Sequence, residues 1–334
     1  MQQVSSPARL QPDALRARRP VTIGNRLSIV VPCYNEEEVL PETVKRLKAL
    51  LDQLTNSGKI AADSQVIFVD DGSRDRTWEL IRQFNADDAR IRGVKLSGHR
   101  GHQTALIAGL FATDGDAIAS IDADLQDDVS AIEGMVDAYR QGCEVVYGVR
   151  KSRGVDTVFK RSTAESYYRV LTLLGVKNVP NHADFRLLSR RALESLKEYS
   201  EVNLFLRGIV PLLGYRSSTV YYDRAERFAG ESKYPLRKMI VLAFDGVTSF
   251  TGVPLRFVAF IGILVSFLSI GMMFWALWVK LFTSQALPGW ASSVIPIYFL
   301  GGVQLLSIGL LGEYVSKLYF EAKRRPRYFI EESL

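Results

Sequence analysis

Two long charge-free runs near the C-terminus constrain this chain more than any other feature. No Asp, Glu, Lys or Arg occurs between Phe257 and Trp278, and none between Leu281 and Gly312, with Lys280 lying between the runs. Each run exceeds the ~20 apolar residues an α-helix needs to cross a ~30 Å hydrocarbon core. The alternative is a pair of helices buried in a water-soluble core. Against it, Phe257-Val258-Ala259-Phe260-Ile261-Gly262-Ile263-Leu264-Val265 is apolar all round and offers water no face. Spans are therefore expected at 254–281 and 294–319. Arg237, Lys238 and Arg256 precede the first, and Lys323, Arg324, Arg325 and Arg327 follow the second. By the positive-inside rule both termini face the cytoplasm, with an outer loop near Pro288-Gly289-Trp290 and with Trp278 and Trp290 as interface anchors. The apolar and basic segment 234–253 suits the interface itself. Gly301, Gly302, Gly309 and Gly312 offer small faces for packing the spans on each other or for self-association.

The rest of the chain has the pattern of a parallel α/β sheet. Leu27-Ser28-Ile29-Val30-Val31 is a continuous apolar, β-branched run of the kind buried in parallel sheets. A helix follows from Asn35-Glu36-Glu37-Glu38, with Leu40, Val44, Leu47 and Leu51 at helical spacing. Further strands are expected at 66–69, 91–96, 117–121 and 144–148. They are separated by helices at about 75–84, 102–112 and 129–141, which implies right-handed crossovers. Beyond Arg150 the pattern changes. Arg150-Lys151-Ser152-Arg153 suggests a basic loop, Phe159–Leu174 an amphipathic helix holding Lys160, Arg161 and Arg169, and Arg190–Glu198 another helix; His182 is placed in a loop. Residues 1–25, with Arg9, Arg16, Arg18 and Arg19 among prolines, lack the apolar core of a signal peptide and are expected to be a disordered basic tail. The only cysteines, Cys33 and Cys143, flank strands and make no disulfide framework. Net charge +6 fits an anionic membrane surface or phosphate ligands better than nucleic acid, given the spans.

Ligands of such sheets sit beyond the carboxyl ends of the strands. Polar residues gather at three of those ends: Tyr34-Asn35-Glu36, Asp70-Asp71-Gly72-Ser73, and Asp122-Ala123-Asp124. In extended backbone residues i and i+2 share a face, so Asp122 and Asp124 converge and Gln126 adds an amide oxygen one step further on. Two carboxylates and an amide oxygen suit Mg²⁺ or Mn²⁺ and leave positions for phosphate. The competing use is an acidic cap for the helix starting near Asp127. There is no Gly-x-Gly-x-x-Gly after the first strand and no Walker A sequence, which disfavours a dehydrogenase or a P-loop enzyme.

Together these motifs resemble glycosyltransferase family 2, in particular the polyprenyl-phosphate glycosyltransferases that are dolichyl-phosphate-mannose-synthase-like, including the bacterial bactoprenol (undecaprenyl-phosphate) glucosyltransferases. The resemblance is carried by Val30-Val31-Pro32-Cys33-Tyr34-Asn35-Glu36, Val69-Asp70-Asp71-Gly72-Ser73, Gly101-His102-Gln103-Thr104-Ala105-Leu106 and Asp122-Ala123-Asp124-Leu125-Gln126-Asp127. Asp184-Phe185-Arg186-Leu187-Leu188-Ser189-Arg190, the loop Arg227–Tyr234 and the two spans complete it. It implies a GT-A fold over 26–233 and inverting transfer of a sugar from a nucleotide donor to a membrane polyprenyl phosphate. It implies a nucleoside pocket lined by Pro32, Tyr34, Asn35, Glu36, Asp70, Asp71 and His102, and a divalent ion on Asp122, Asp124 and Gln126. It further implies a closing loop with Arg227 and Lys233, and Arg150 and Arg161 toward the lipid phosphate; Lys151, Arg153 and Arg186 are further candidate clamps, since Arg forks match phosphate oxygens. Where close relatives often carry Asn, this chain has His99.

Asp127 and Asp184 can serve as base or orienting acid, or Asp184 can pair with Arg186. An acceptor phosphate is already anionic and needs positioning more than deprotonation. The expected enzyme moves glucose from UDP-glucose to undecaprenyl phosphate on the cytoplasmic side of the plasma (inner) membrane. It is multi-pass, with 320–334 a cytoplasmic basic tail. A flippase and a transferase that uses the lipid-linked sugar would act downstream. The rivals are a mannosyl or aminosugar transferase using GDP-mannose, UDP-N-acetylglucosamine or an aminoarabinose donor, and a non-catalytic membrane scaffold. A processive synthase would show Gln-x-x-Arg-Trp and more spans, and neither is found.

Overall fold

The first apolar run becomes β1 (Leu27–Cys33), and all of its residues are buried. A strand covered on both faces belongs in the middle of a parallel sheet. It lies between β2 (Gln65–Asp70) and β4 (Ala117–Ser120), parallel to both, and β3 (Ile91–Leu96) extends the sheet beyond β2. The computed structural model describes residues 25–151, 182–199, 201, 206–223 and 289–334, with scattered positions between 258 and 282. The crossovers are α1 (Leu40–Asn56), α2 (Thr77–Asp87), α3 (His102–Ala112) and α4 (Ala131–Arg140). In α1 the buried residues Leu40, Val44, Leu47, Leu51 and Leu54 hold one face on the sheet. That helix starts at Leu40, not at Asn35, because Asn35 has a left-handed backbone (φ +55°) that breaks helical geometry.

The sheet has eight strands in the order β7-β5-β6-β4-β1-β2-β3-β8. β5 (Val145–Arg150) and β7 (Ser217–Tyr222) are parallel to each other. β6 (His182–Ser189) runs antiparallel between β4 and β5, so His182 begins a strand and does not lie in a loop. α5 (Arg190–Lys197), whose Ala192 N–H donates to the Ser189 hydroxyl at 3.0 Å, and α6 (Leu206–Leu212) cover that side. Apolar layers fill both faces, one around Phe68, Leu47, Ile132 and Phe185, the other around Val69, Leu106, Leu193 and Ile209. Cys33 and Cys143 are free and buried.

The C-terminus departs from expectation. Residues 320–334 do not form a tail: they finish α7 (Gly289–Lys323) and return as β8 (Ile330–Ser333), antiparallel to β3. Leu334 N–H donates to Gly93 O at 2.8 Å, Ser97 N–H to Phe329 O at 3.0 Å and Trp78 Nε1–H to Glu332 at 3.0 Å. Gly93 makes this seat possible, since a Cβ there would run into Leu334, Trp78 and Ile81. Counted over the described residues, no helix is long and apolar enough to cross a membrane. Most of 254–281 and several side chains of α7 lie outside those residues, as do 1–24, the helix expected at Phe159–Leu174, Arg227–Tyr234 and the segment 234–253.

Candidate active site

The loops after β1 and β2 brace each other at the carboxyl edge of the sheet. Asn35 N–H donates to Ser73 Oγ at 2.9 Å, Arg74 N–H to Asn35 Oδ1 at 2.8 Å, and Glu36 N–H to Thr77 Oγ1 at 2.9 Å. Pro32 is buried in β1 opposite Val69. Asp70 is fully buried: Ser73 N–H donates to its Oδ1 at 3.1 Å, and its Oδ2 has no partner among the described residues. Burial pushes the Asp70 carboxyl up, and the bonds from Ser73 pull it down. Asp71 is buried too and accepts from Arg100 N–H at 2.7 Å and Gly101 N–H at 2.8 Å, with His99 Nδ1 also 2.8 Å away. Gly72 (φ +70°) lies so close to the backbone of Gly98 and His99 that a Cβ would be within 2.8 Å of either. The loops after β2 and β3 are therefore fused, and the Tyr34 and His99 rings stack above them, centroids 4.0 Å apart.

The acid cluster follows β4. Ile121, Ala123 and Leu125 are buried, and Asp122, Asp124 and Gln126 alternate with them, half-buried. Burial alternates past the end of the strand, which leaves Asp122, Asp124 and Gln126 partly exposed between buried neighbours. Thr43 Oγ1 donates to Ala123 O at 2.9 Å, and Leu125 takes a left-handed backbone (φ +55°). For a buried Leu that conformation costs about 1–2 kcal/mol, held here by the packing around it. Capping does not explain the acids: α4 starts only at Ala131, and Asp128 is the acid that accepts Ser130 N–H. Burial, then the carboxylates of Asp127, Asp184 and Asp124, push Asp122 up to about 6, against the pull of His102. His102 Nε2 stands 3.4 Å from Asp122 and 3.7 Å from Asp184.

Residues 28–197 match the model of glycosyl transferase family 2. The chain belongs to that family. The uncharacterized glycosyltransferase YkoT of Bacillus subtilis (strain 168) is 51% identical over 310 residues, 92% of each chain. The SfII prophage-derived bactoprenol glucosyl transferase of Shigella flexneri is 36% identical over 312 residues, 92% of this chain and 98% of its own. A solved glucosyl-3-phosphoglycerate synthase from Mycobacterium tuberculosis overlaps at TM-score 0.45 and 20% identity, covering 67% of this chain and 78% of that one. This glycosyltransferase is thus an enzyme with the α/β, mostly parallel GT-A sheet, and the matched residues carry β1 through α5 and the whole acid cluster.

Several residues of the glycosyltransferase sit differently from expectation. Arg186 does not face a ligand: it is 1% exposed, donates to Asp184 Oδ1 at 2.7 Å and Leu206 O at 3.1 Å, and lies in β6 between Ser120 and Tyr147. Its exposed counterpart is Arg207, which donates to Asp184 Oδ2 at 2.9 Å. Asp184 also accepts from Gln103 Nε2 at 3.1 Å. Burial opposes its ionisation, but Arg186, Arg207 and His102 win and hold it well below the usual carboxylate range. Asp127 is buried and accepts from Tyr222 OH at 2.5 Å and Arg150 Nη2 at 3.1 Å. Arg150 Nε also donates to the Tyr222 oxygen at 3.2 Å, so Arg150 is at the site but held. Gln103, Arg207 and Tyr222 were not foreseen. Gln103 adjoins His102 inside a quoted motif, whereas nothing local marks the other two. Arg161, Arg227 and Lys233 lie outside the described residues.

A divalent cation suits this donor set. Asp127 and Asp184 carry arginine partners, whereas Asp122 and Asp124 stay partly exposed, and the Asp122 carboxyl is raised first by burial and then by the neighbouring carboxylates. Among the described residues no three His, Cys, Asp or Glu side chains close a cage. Two carboxylates and an amide oxygen are the open arrangement in which substrate phosphate completes a hard ion's shell.

Proposed function

We propose that the enzyme transfers glucose from UDP-glucose to a polyprenyl phosphate such as undecaprenyl phosphate, with inversion, at the cytoplasmic face of the plasma (inner) membrane. The observation that carries this reading is the half-buried Asp122–Asp124 pair opening beside the buried Asp70 edge, a place for a diphosphate next to a place for a base. The likeness to a bactoprenol glucosyl transferase over 92% of the chain supports the acceptor and the sugar. Asp70 Oδ2 narrows the base. A buried acceptor wants a ring N–H, which uracil and guanine present and which adenine and cytosine replace with an acceptor of their own.

Asp122, Asp124 and Gln126 would hold Mg²⁺ or Mn²⁺, which supplies Lewis-acid stabilisation to the leaving diphosphate when bound. Arg227 and Lys233, flanking Gly230, would close over that diphosphate. The acceptor phosphate would meet Arg150 and Arg161, with Arg207 in the place first given to Arg186. Asp184 is too firmly ionised to be an efficient base, and Asp127 commits its Oδ1 to Tyr222 and Arg150. An anionic acceptor does not call for one.

Under this reading 26–233 is the catalytic domain, 234–253 lies in the interface, and 254–281 and 294–319 cross the bilayer. Ile297, Ile308, Leu311, Val315 and Leu318 on α7 are all more than half exposed, which lipid tolerates and water does not. The test is to incubate membranes holding the enzyme with Mg²⁺, polyprenyl phosphate and labelled UDP-glucose, GDP-mannose, UDP-N-acetylglucosamine or an aminoarabinose donor. UDP-glucose should label the lipid; label from another donor alone would move the reading to that sugar, and none from any would sink it.

A further inference from the structure

We infer that His99 is a positioning residue for the donor's nucleobase, its ring setting the plane of Tyr34 on which the base stacks. This rests on the proposed use of a nucleotide-sugar donor. The Tyr34 and His99 rings stack with centroids 4.0 Å apart and an interplanar angle of 26°. Tyr34 is 37% exposed and the His99 side chain 53% exposed, so the pair keeps ring surface open to solvent. Yet much of the surroundings holds it still. His99 Nδ1 is 2.8 Å from Asp71 Oδ2, and Asp71 is itself fixed by the N–H groups of Arg100 and Gly101. The backbone of His99 is packed against Gly72, where any larger residue would push it away. On the other ring's side, Asn35 fixes the turn after Tyr34 through its bonds with Ser73 and Arg74.

The open ring surface of this braced pair is where a third flat group can stack. Asp70 lies one position before Asp71 on the same strand end, opposite Cys33 in the β1–β2 register and so one residue from Tyr34. Its buried, unpartnered Oδ2 is a second and independent sign that a planar ring with an N–H belongs there. Base–aromatic stacking tolerates any planar ring, so the stack supplies affinity and Asp70 supplies the choice of base.

The two properties of His99 separate by substitution. Phe keeps the ring and loses the Asp71 contact, Asn keeps a donor and loses the ring, and Ala loses both. The full-length enzyme in detergent would be titrated with UDP by calorimetry and assayed with UDP-glucose. Losing the stack should raise the UDP Kd and the UDP-glucose KM roughly threefold to tenfold in H99A and H99N, the worth of an aromatic pair. The kcat should stay within about twofold, as for lost uniform binding. H99F should recover most of the affinity lost in H99A. H99N matching the wild type, or H99F as weak as H99A, would overturn the inference, as would a fall in Tm and kcat with UDP affinity unmoved. Wild-type enzyme that binds UDP but labels no lipid would sink the proposed transfer and leave this inference standing.

Discussion

Asp184→Asn removes one charge and changes almost no volume, so it isolates what the buried acid does. Asp184 accepts from Arg186 Nη2 at 2.7 Å, Arg207 Nη2 at 2.9 Å, Arg207 Nε at 3.3 Å and Gln103 Nε2 at 3.1 Å. Arg207 is 39% exposed and can turn to water, so its share is small. Arg186 is 1% exposed; among the described residues its other bond goes to Leu206 O and its Nε has no partner. Without the carboxylate it is a buried charge with no counter-ion, a loss of about 3–5 kcal/mol. For a catalytic domain of this size that lowers Tm by roughly 6–20 °C. Differential scanning fluorimetry at pH 7 reads it, and a Tm within about 2 °C of wild type would refute the account. The acid dependence has a definite sign. The folded-state pKa is depressed, so the stabilisation is present above the unfolded Asp value of about 3.9 and is lost only as pH falls below it. The gap between wild type and D184N should thus hold from pH 8 to 5 and narrow under more acid conditions. Arg186→Met in the D184N background should restore part of the Tm, because an uncharged side chain at 186 needs no counter-ion.

Asp124→Ala should lower turnover roughly hundredfold or more while leaving Tm unchanged or higher, since one of the carboxylates that raise Asp122 is gone; labelled-lipid formation and fluorimetry check the two halves. Tyr222→Phe removes the 2.5 Å donor to buried Asp127 and should cost about 1–3 kcal/mol, seen as a lower denaturant midpoint at unchanged slope. Deleting 329–334 strips β8 and half-buried Leu334 from β3, so the enzyme should lose about 1–2 kcal/mol for the leucine alone and self-associate through the bare edge, measured by light scattering on a sizing column.

What could be seen in the sequence is what local periodicity encodes. β1 to β4 and their crossovers show as apolar runs and helical spacings, and the alternation of acids with apolar residues at 121–125 reappears as alternating burial. β6 was hidden for a physical reason: Phe185, Arg186, Leu187 and Leu188 are all buried, so the strand has no alternation and its charges look like a motif in a loop. No local signal says that Arg186 is paid for inside the core. That depends on Leu206 and Asp184 meeting in space, and on Arg207 taking the exposed side. Tyr222 finds Asp127 across 95 residues, and β8 finds β3 across more than twice that distance, beyond the reach of any window. The mutual bracing of Asn35, Ser73 and Thr77 was equally invisible, though Asn35 and Ser73 stood in motifs already singled out.

The unforeseen strand changes how the two halves of the chain must be arranged. β8 enters the sheet at Ile330, opposite Leu96, and runs back toward Ser333 opposite Val94. Its first residue therefore lies at the carboxyl end of β3, the same edge that carries Tyr34, Asp71 and Asp122. Only Arg324–Phe329 separates it from the last residue of α7, a tether that spans at most ~25 Å when fully extended. Along the way Arg327 Nη2 donates to Tyr199 O at 2.9 Å, and Tyr328 packs against the core on the α3 side of the sheet, which shortens the effective reach. With α7 in the bilayer, as proposed, the catalytic edge cannot drift away from the surface where that helix emerges. A lipid phosphate is confined to the headgroup layer and cannot travel to meet a distant site, so the short strap makes up the distance from the protein's side. A basic tail free in solution would leave that encounter to diffusion, whereas a strand hydrogen-bonded into the sheet builds it into the fold.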